Sequence, residues 1–282
     1  EYLGDTLAAI SMEKAGIMYP GVPCVVAPHN DEVVPVFLQR AEELGCDCRI
    51  LGKADYACQG VCEKFVAFSY FSSYYGTIPV KLNTTALYQV ENVCLALAGL
   101  EGLIEQGIVS EKEFSVTTIS KALWETSWAG RMEEVLEGVI LDGAHNIDGL
   151  ESFLESIPGD MCEGQRIMIF SAVSDKDYGQ MLEKIFQSRL FSCVIVTQIA
   201  GERGVRAECL FKEASVHLEK QKHMNSCSQK IECYCECVSD ILDAVRLAFT
   251  KRKHSDYIYI VGSLYLVGQA KKLLSNHVKF SG

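Results

Sequence analysis

The 282-residue chain has no run of about 18 uncharged apolar residues, the length a helix needs to cross a bilayer, so no segment reads as a membrane span. The opening residues EYLGDTLAAI lack the basic start and apolar centre of a signal peptide, and a cytoplasmic location is expected. Basic residues are the minority: 26 Lys and Arg stand against 37 Asp and Glu, a formal charge of −11. Phosphate backbones need a basic patch, which argues against nucleic acid as the main partner. A small anionic ligand needs only a local site and stays open. No internal repeat or low-complexity linker occurs. The phosphate-cradling pattern G-x-x-x-x-G-K-[ST] is also missing. GSLYLVGQAKK has glycines and lysines, but at the wrong spacing.

Cysteine, by contrast, is plentiful, at 13 residues. Zinc sites usually present C-x₂₋₄-C pairs with a second pair at a fixed distance. Here Cys46-Asp-Cys48 and Cys233-Tyr-Cys235-Glu-Cys237 have the short C-x-C spacing without such a partner, and Cys58 to Cys62 fits one helical turn equally well. Reduced thiols are therefore expected. With 49% hydrophobic and 22% charged residues the chain is globular rather than disordered, and its length suits one large domain or two ordinary ones.

From about residue 135 apolar strands alternate with amphipathic helices. GVILD precedes DGLESFLESI, with Leu150, Phe153, Leu154 and Ile157 at helical spacing. RIMIFSAV precedes YGQMLEKIF, with Met181, Leu182, Ile185 and Phe186 on one face. CVIVTQ precedes a helix from near Arg206, with Leu210 and Phe211 as core candidates. Residues 217–236 are polar and read as a helix and loop with a short strand before VSDILDAVRLAFT. DYIYIV precedes SLYLVGQAKKLL. The rhythm predicts an α/β fold, Rossmann-like, with a mainly parallel sheet covered on both faces. Residues 1–127 show helices at TLAAISMEKAGIM, VVPVFLQRAEELG, ALYQVENVCLALAGLEGLIEQG and TTISKALWETS. Strands are expected at VPCVVA and CRILG, and around FVAFSYFSSYYGTIPVKL. SWAGRMEEV is the best boundary, giving domains 1–127 and 128–282.

Ligands of open α/β sheets sit beyond the carboxyl ends of the strands. Four such ends carry polar groups: Asp142-Gly-Ala-His145-Asn146, Ser174-Asp175-Lys176-Asp177, Thr197 and Gly262-Ser263. Each is read as preceding a helix whose free N–H groups favour an anion. Asp, Ser and Asn are also ordinary N-caps, so each residue alone fits a solvated cap equally well. In DTLAAISMEKAGIM, Leu7, Ile10, Lys14 and Ile17 share one helical face, so Lys14 interrupts an apolar stripe. Either its stem packs while the ammonium snorkels out, or it is a desolvated amine able to form a carbamate with carbon dioxide.

LGDTLAAISMEKAGIMYPGVP, YQVENVCLALAGLE, WAGRMEEV, ILDGAHNIDG, FSAVSDKD and VGSLYLVG, in this order, resemble the Mur-ligase superfamily, and within it the folylpolyglutamate synthase and dihydrofolate synthase family. The resemblance implies a partial central ATPase domain followed by a Rossmann-like C-terminal domain. It also implies ATP-dependent addition of L-glutamate to a folate or dihydropteroate-type substrate through an acyl phosphate. ATP and Mg2+ are the implied cofactors, and a monomer is expected. By resemblance, Lys14 would be a carbamate ligand of magnesium and Arg131 would contact the ATP phosphates. Asp142 and His145, with Asn146 nearby, would hold the nucleotide, and Gln89 and Asn92 would lie on the nucleotide side. Lys176 and Ser263 would lie near the glutamate and the acyl group.

The family's G-T-N-G-K-G-S loop and a magnesium-binding histidine, expected before the lysine, are not in the sequence. The chain thus reads as the distal piece of a longer ligase, inactive alone. Two rivals remain: a binding protein that kept the scaffold but lost ATP hydrolysis, and a cell-wall or cyanophycin type of Mur ligase. SLYLVG and DKD favour the folate branch over the second rival. Tyr88, where histidine is common in relatives, and Val205, where proline is common, are minor departures.

Overall fold

The computed structural model describes residues 6–28, 30–62, 64–158, 164–224 and 233–276. They divide into two units, Glu1–Asn83 with Tyr88–Thr126, and Thr84–Leu87 with Ser127–Gly282.

In the first unit, α1 (Leu7–Ala15) starts at Thr6, whose hydroxyl accepts the Ala9 N–H. β1 (Cys24–Val26), α2 (Val34–Leu44) and β2 (Cys48–Ile50) follow. α2 ends at Gly45, whose φ of 60° is left-handed, a conformation free of Cβ strain only for glycine. β1 and β2 pair in parallel with Cys24 opposite Cys48. Ala15, Met18, Val33, Phe37 and Ala41 form a small core beside them. β3 (Tyr56–Val61), β4 (Val66–Ser72) and β5 (Gly76–Leu82) make an antiparallel meander. α3 (Gln89–Glu105) packs on β1 and β4, and α4 (Val116–Glu125) on β5. Arg49 of β2 bridges Asp55 and the buried Glu101 of α3, whose carboxylate also accepts the Tyr70 hydroxyl. Burying Glu101 is tolerable because these partners satisfy it.

Two expectations fail here. Cys58 and Cys62 do not share a helical turn: Cys58 lies in β3, which pairs with β4 through a bulge between Cys58 and Gly60. Lys14 does not interrupt a buried stripe. α1 turns Ser11 and Ala15 inward, while Leu7 and Ile17 are 53% and 83% exposed and Lys14 is exposed with them. The apolar spacing does not mark the core face, because the small residues Ser11 and Ala15 make the close approach to α2.

The second unit holds a six-stranded sheet in the order β10-β9-β8-β11-β7-β6. β6 (Glu133–Leu136) is antiparallel to β7 (Val139–Asp142). α5 (Ile147–Glu155), β8 (Arg166–Phe170), α6 (Tyr178–Ser188) and β9 (Cys193–Val196) follow. Then come α7 (Ala207–Met224), β10 (Tyr234–Cys237), α8 (Ile241–Lys251), β11 (Tyr257–Val261) and α9 (Leu264–Asn276). The pairs from β7 to β10 are all parallel. β11 lies between β7 and β8, and its last four residues are buried, as a strand covered on both faces requires.

Ile167, Ile169, Ile258 and Ile260 share a core with Ala244 and Val245 of α8 and Leu266 and Ala270 of α9. On the other face Phe153 of α5 meets the Tyr259 ring edge-on at 5.8 Å. The molecule is therefore an α/β protein with a mixed, mainly parallel six-stranded sheet. Leu210 is buried as read, but Phe211 is 37% exposed, because α7 needs only one of two adjacent positions for its inner face. Within 217–236, the helix runs to Met224 and the short strand is β10, while 225–232 lie outside the described residues. No described helix is long and apolar enough to cross a membrane.

Candidate functional site

In the second unit the chain leaves β7 at Asp142 and turns through Gly143, Ala144 and His145 into α5. Asp142 is 2% exposed, and its carboxylate accepts the Met132 N–H at 2.9 Å and the Ala144 N–H at 2.8 Å. One carboxylate thus fixes both its own turn and the segment before β6. That segment is held in an uncommon conformation, with φ of 66° at Gly130 and 46° at Met132. A left-handed residue with a Cβ costs about 1–2 kcal/mol, and the Asp142 bond offsets this. Glu133 adds a second clamp, accepting the Gly130 N–H and pairing with Lys271 of α9.

Gly143 donates to the Gly130 carbonyl at 2.8 Å. A Cβ at Gly143 would lie 2.7 Å from Arg131 Nη1 and 2.4 Å from Leu264 Cδ2. The Arg131 guanidinium therefore lies directly against the loop backbone, as close as a glycine permits. His145 Nδ1 is 2.9 Å from the Gly143 carbonyl, which can only accept, so Nδ1 carries a proton and Nε2 is left for a ligand. Asn146 caps α5 by accepting the Gly149 N–H. Arg131, Asp142, His145 and Asn146 are thus brought into one constellation, with the Arg131 cation seated against the loop that leads into the α5 N-terminus.

The other expected residues are placed separately. Ser263 is buried before α9, where its hydroxyl accepts the Tyr265 N–H at 3.1 Å. Lys176 lies on the loop after β8, its ammonium 3.8 Å from Asp175. Desolvation pushes the Asp175 carboxyl up, but the hydrogen bond from Arg203, a backbone hydrogen bond and the charges of Arg203 and Lys176 together hold it below its usual range. In the first unit Asn92 donates to Gln89 at 2.7 Å on one face of α3, with Gln89 buried. Lys14 stands exposed on α1. Thr197 differs from the reading, since no helix follows it directly: α7 begins only at Ala207, and the Thr197 hydroxyl turns to the Ser239 carbonyl.

The described cysteines are free thiols. Burial pushes Cys94 and Cys235 up to about 12, which leaves them poor nucleophiles.

Sequence reasoning missed Ser171, at the end of β8, which is fully buried with its hydroxyl unpartnered among the described residues. Its position inside an apolar run was the available signal. An unpaired buried hydroxyl is destabilising, so Ser171→Ala is expected to raise the melting temperature by about 2–4 °C. A fall would show that the hydroxyl makes a stabilising bond.

A model of the Mur ligase, glutamate ligase domain, matches residues 130–264. The dihydrofolate synthase/folylpolyglutamate synthase of Bacillus subtilis is 24% identical over 96% of this chain and 59% of its own length. A probable dihydrofolate synthetase of Schizosaccharomyces pombe is 26% identical over 97% of this chain and 62% of its own length. The folylpolyglutamate synthase of Mycobacterium tuberculosis, solved with ADP and AMPPCP, superposes with a TM-score of 0.79 at 19% identity, covering 100% of this chain and 61% of that one. The chain spans about three fifths of the length of these relatives. The domain match and the relatives agree: residues 130–264 match the glutamate ligase domain of Mur ligases, and the chain as a whole is similar to folylpolyglutamate and dihydrofolate synthases.

Proposed function

We propose that the chain carries the glutamate-adding part of an ATP-dependent amide ligase acting on a folate or dihydropteroate-type acceptor. Residues 1–127 belong on this reading to the ATP-binding domain and residues 128–282 to the ligase domain. The observation that supports it most is the Arg131 guanidinium seated against Gly143 beside the α5 N-terminus. This arrangement suits an anion, and a nucleotide phosphate is the anion the chemistry needs. Asp142 acts as a positioning residue, since its carboxylate is already engaged by two backbone N–H groups. His145 Nε2 and Arg131 would contact the nucleotide directly, with Asn146 on the same loop as His145; Gln89 and Asn92 are assigned to the nucleotide by resemblance alone.

The reaction joins an acceptor carboxylate to the amine of L-glutamate. An acceptor carboxylate oxygen attacks the γ-phosphorus of ATP, releasing ADP and giving an acyl phosphate. The amine of L-glutamate then attacks the acyl carbon, phosphate leaves, and a proton is lost from nitrogen. The protein's contribution is positioning and charge stabilisation rather than a covalent nucleophile. Lys176 and Ser263 would serve the glutamate and acyl end.

Magnesium, when bound in such ligases, neutralises phosphate charge. Among the described residues no group of three or more His, Cys, Asp or Glu could hold a metal ion. Lys14 is exposed rather than desolvated, and a carbamate there rests on the resemblance alone. No step is therefore assigned through the metal.

The test is a chimera supplying the part of the Bacillus subtilis enzyme that this chain does not span. ATP-dependent incorporation of labelled glutamate into dihydropteroate or tetrahydrofolate is expected, with none from the 282-residue chain alone. A chimera that folds and binds ADP but incorporates no glutamate would favour a binding protein instead.

A further inference from the structure

Three segments of the second unit meet at the carboxyl end of its sheet: the loop after β8, the loop after β9 and the first turn of α9. The two loops are joined by their backbones. Ser174 N–H donates to the Arg203 carbonyl at 2.9 Å, Val205 N–H to the Ala172 carbonyl at 3.0 Å, and Val173 bridges Gly204. Across this junction the Arg203 guanidinium donates to Asp175 at 3.2 Å and lies 5.9 Å from the Tyr265 ring centroid. Lys176 pairs with the same carboxylate at 3.8 Å.

The Arg203–Asp175 pair is not what holds the loops together. Its side chains are 63% and 51% exposed, and pairs in that setting contribute little to stability, while the backbone bonds already join the segments. Two cations, Lys176 and Arg203, share the Asp175 carboxylate, so neither holds it exclusively. The place is where open α/β sheets bind ligands. A guanidinium set over an aromatic ring keeps its planar fork free for a partner in front of it, and that fork matches a carboxylate.

We propose that Arg203 recognises a carboxylate of the amino-acid substrate, L-glutamate, which displaces Asp175 from the guanidinium. This rests on the reading of the chain as a glutamate-adding ligase. Asp175 is then an internal competitor, and Tyr265 keeps the guanidinium oriented. Lys176 on the same loop adds charge without the planar fork. Arg203 is thus a specificity-determining residue outside the Asp142 loop.

A stabilising ion pair and a carboxylate receptor predict different signs. L-glutamate is titrated into the 282-residue chain at low ionic strength, followed by amide chemical shifts and calorimetry. Arg203→Met is expected to weaken binding roughly tenfold, with Arg203→Lys falling between it and the parent. Asp175→Asn is expected to tighten binding about two- to fivefold, and the double variant should show no tightening relative to Arg203→Met. If both single variants move the same way, or neither changes affinity, the pair is structural and the proposal is wrong. If Asp175→Asn still tightens binding without Arg203, the receptor is Lys176 and the assignment to Arg203 falls. Parent chain that binds ADP but no L-glutamate would overturn the glutamate reading, and this inference with it.

Discussion

Asp142→Ala is expected to destabilise the second unit by about 2–4 kcal/mol, because it orphans two buried backbone N–H groups at once. Met132 and Ala144 both donate to this carboxylate, at 2.9 and 2.8 Å, and the site is only 2% exposed. Met132 also loses the bond that offsets its φ of 46°. Asp142→Asn should cost roughly half as much, since the amide keeps one acceptor oxygen and turns an N–H donor toward the other partner. Urea unfolding of the three proteins measures the effect. A loss below about 0.5 kcal/mol for Asp142→Ala, the range of an ordinary surface change, would mean that water or a loop shift replaces the carboxylate at no cost.

The second large effect is on ligand rather than fold. Arg131→Ala should weaken nucleotide binding by roughly 30-fold or more, the loss of a charge-assisted contact to phosphate, with little change in melting temperature. Gly143→Ala offers an independent route to the same defect. The added methyl would stand 2.7 Å from Arg131 Nη1 and 2.4 Å from Leu264 Cδ2, both ends of flexible side chains that can move, and 3.3 Å from the Gly130 carbonyl, which need shift only by a few tenths of an ångström. The fold should therefore survive while the guanidinium is displaced, and affinity should fall about tenfold, or ~1.4 kcal/mol. Unchanged ADP affinity in both variants would remove Arg131 from the site.

The sheet was readable from the sequence because its strands are buried on both faces. VILD, RIMIF, CVIV and YIYIV are continuous apolar runs, and each leads toward a segment with helical spacing. The elements that escaped are those whose order comes from partners. β6 is held by its pairing with β7, and β3 by its pairing with β4 around a Gly60 bulge. α1 misled for a different reason: its large apolar residues face outward, and the small residues Ser11 and Ala15 turn inward. At the site, the residue types of DGAHN pointed to an anion loop. The left-handed Met132 and the seating of Arg131 on Gly143 are tertiary facts with no local pattern. The Arg203–Tyr265 contact, between residues 62 positions apart (265 − 203), could not be read from spacing either.

The central claim is that the turn from β7 into α5, with Arg131 against it, is a nucleotide wall. Titrating ADP into the isotopically labelled 282-residue chain tests it most directly. The account predicts saturable amide shifts concentrated at residues 130–132 and 142–147, lost in Arg131→Ala. Shifts confined to other parts of the sheet, or none at millimolar ADP, would contradict it.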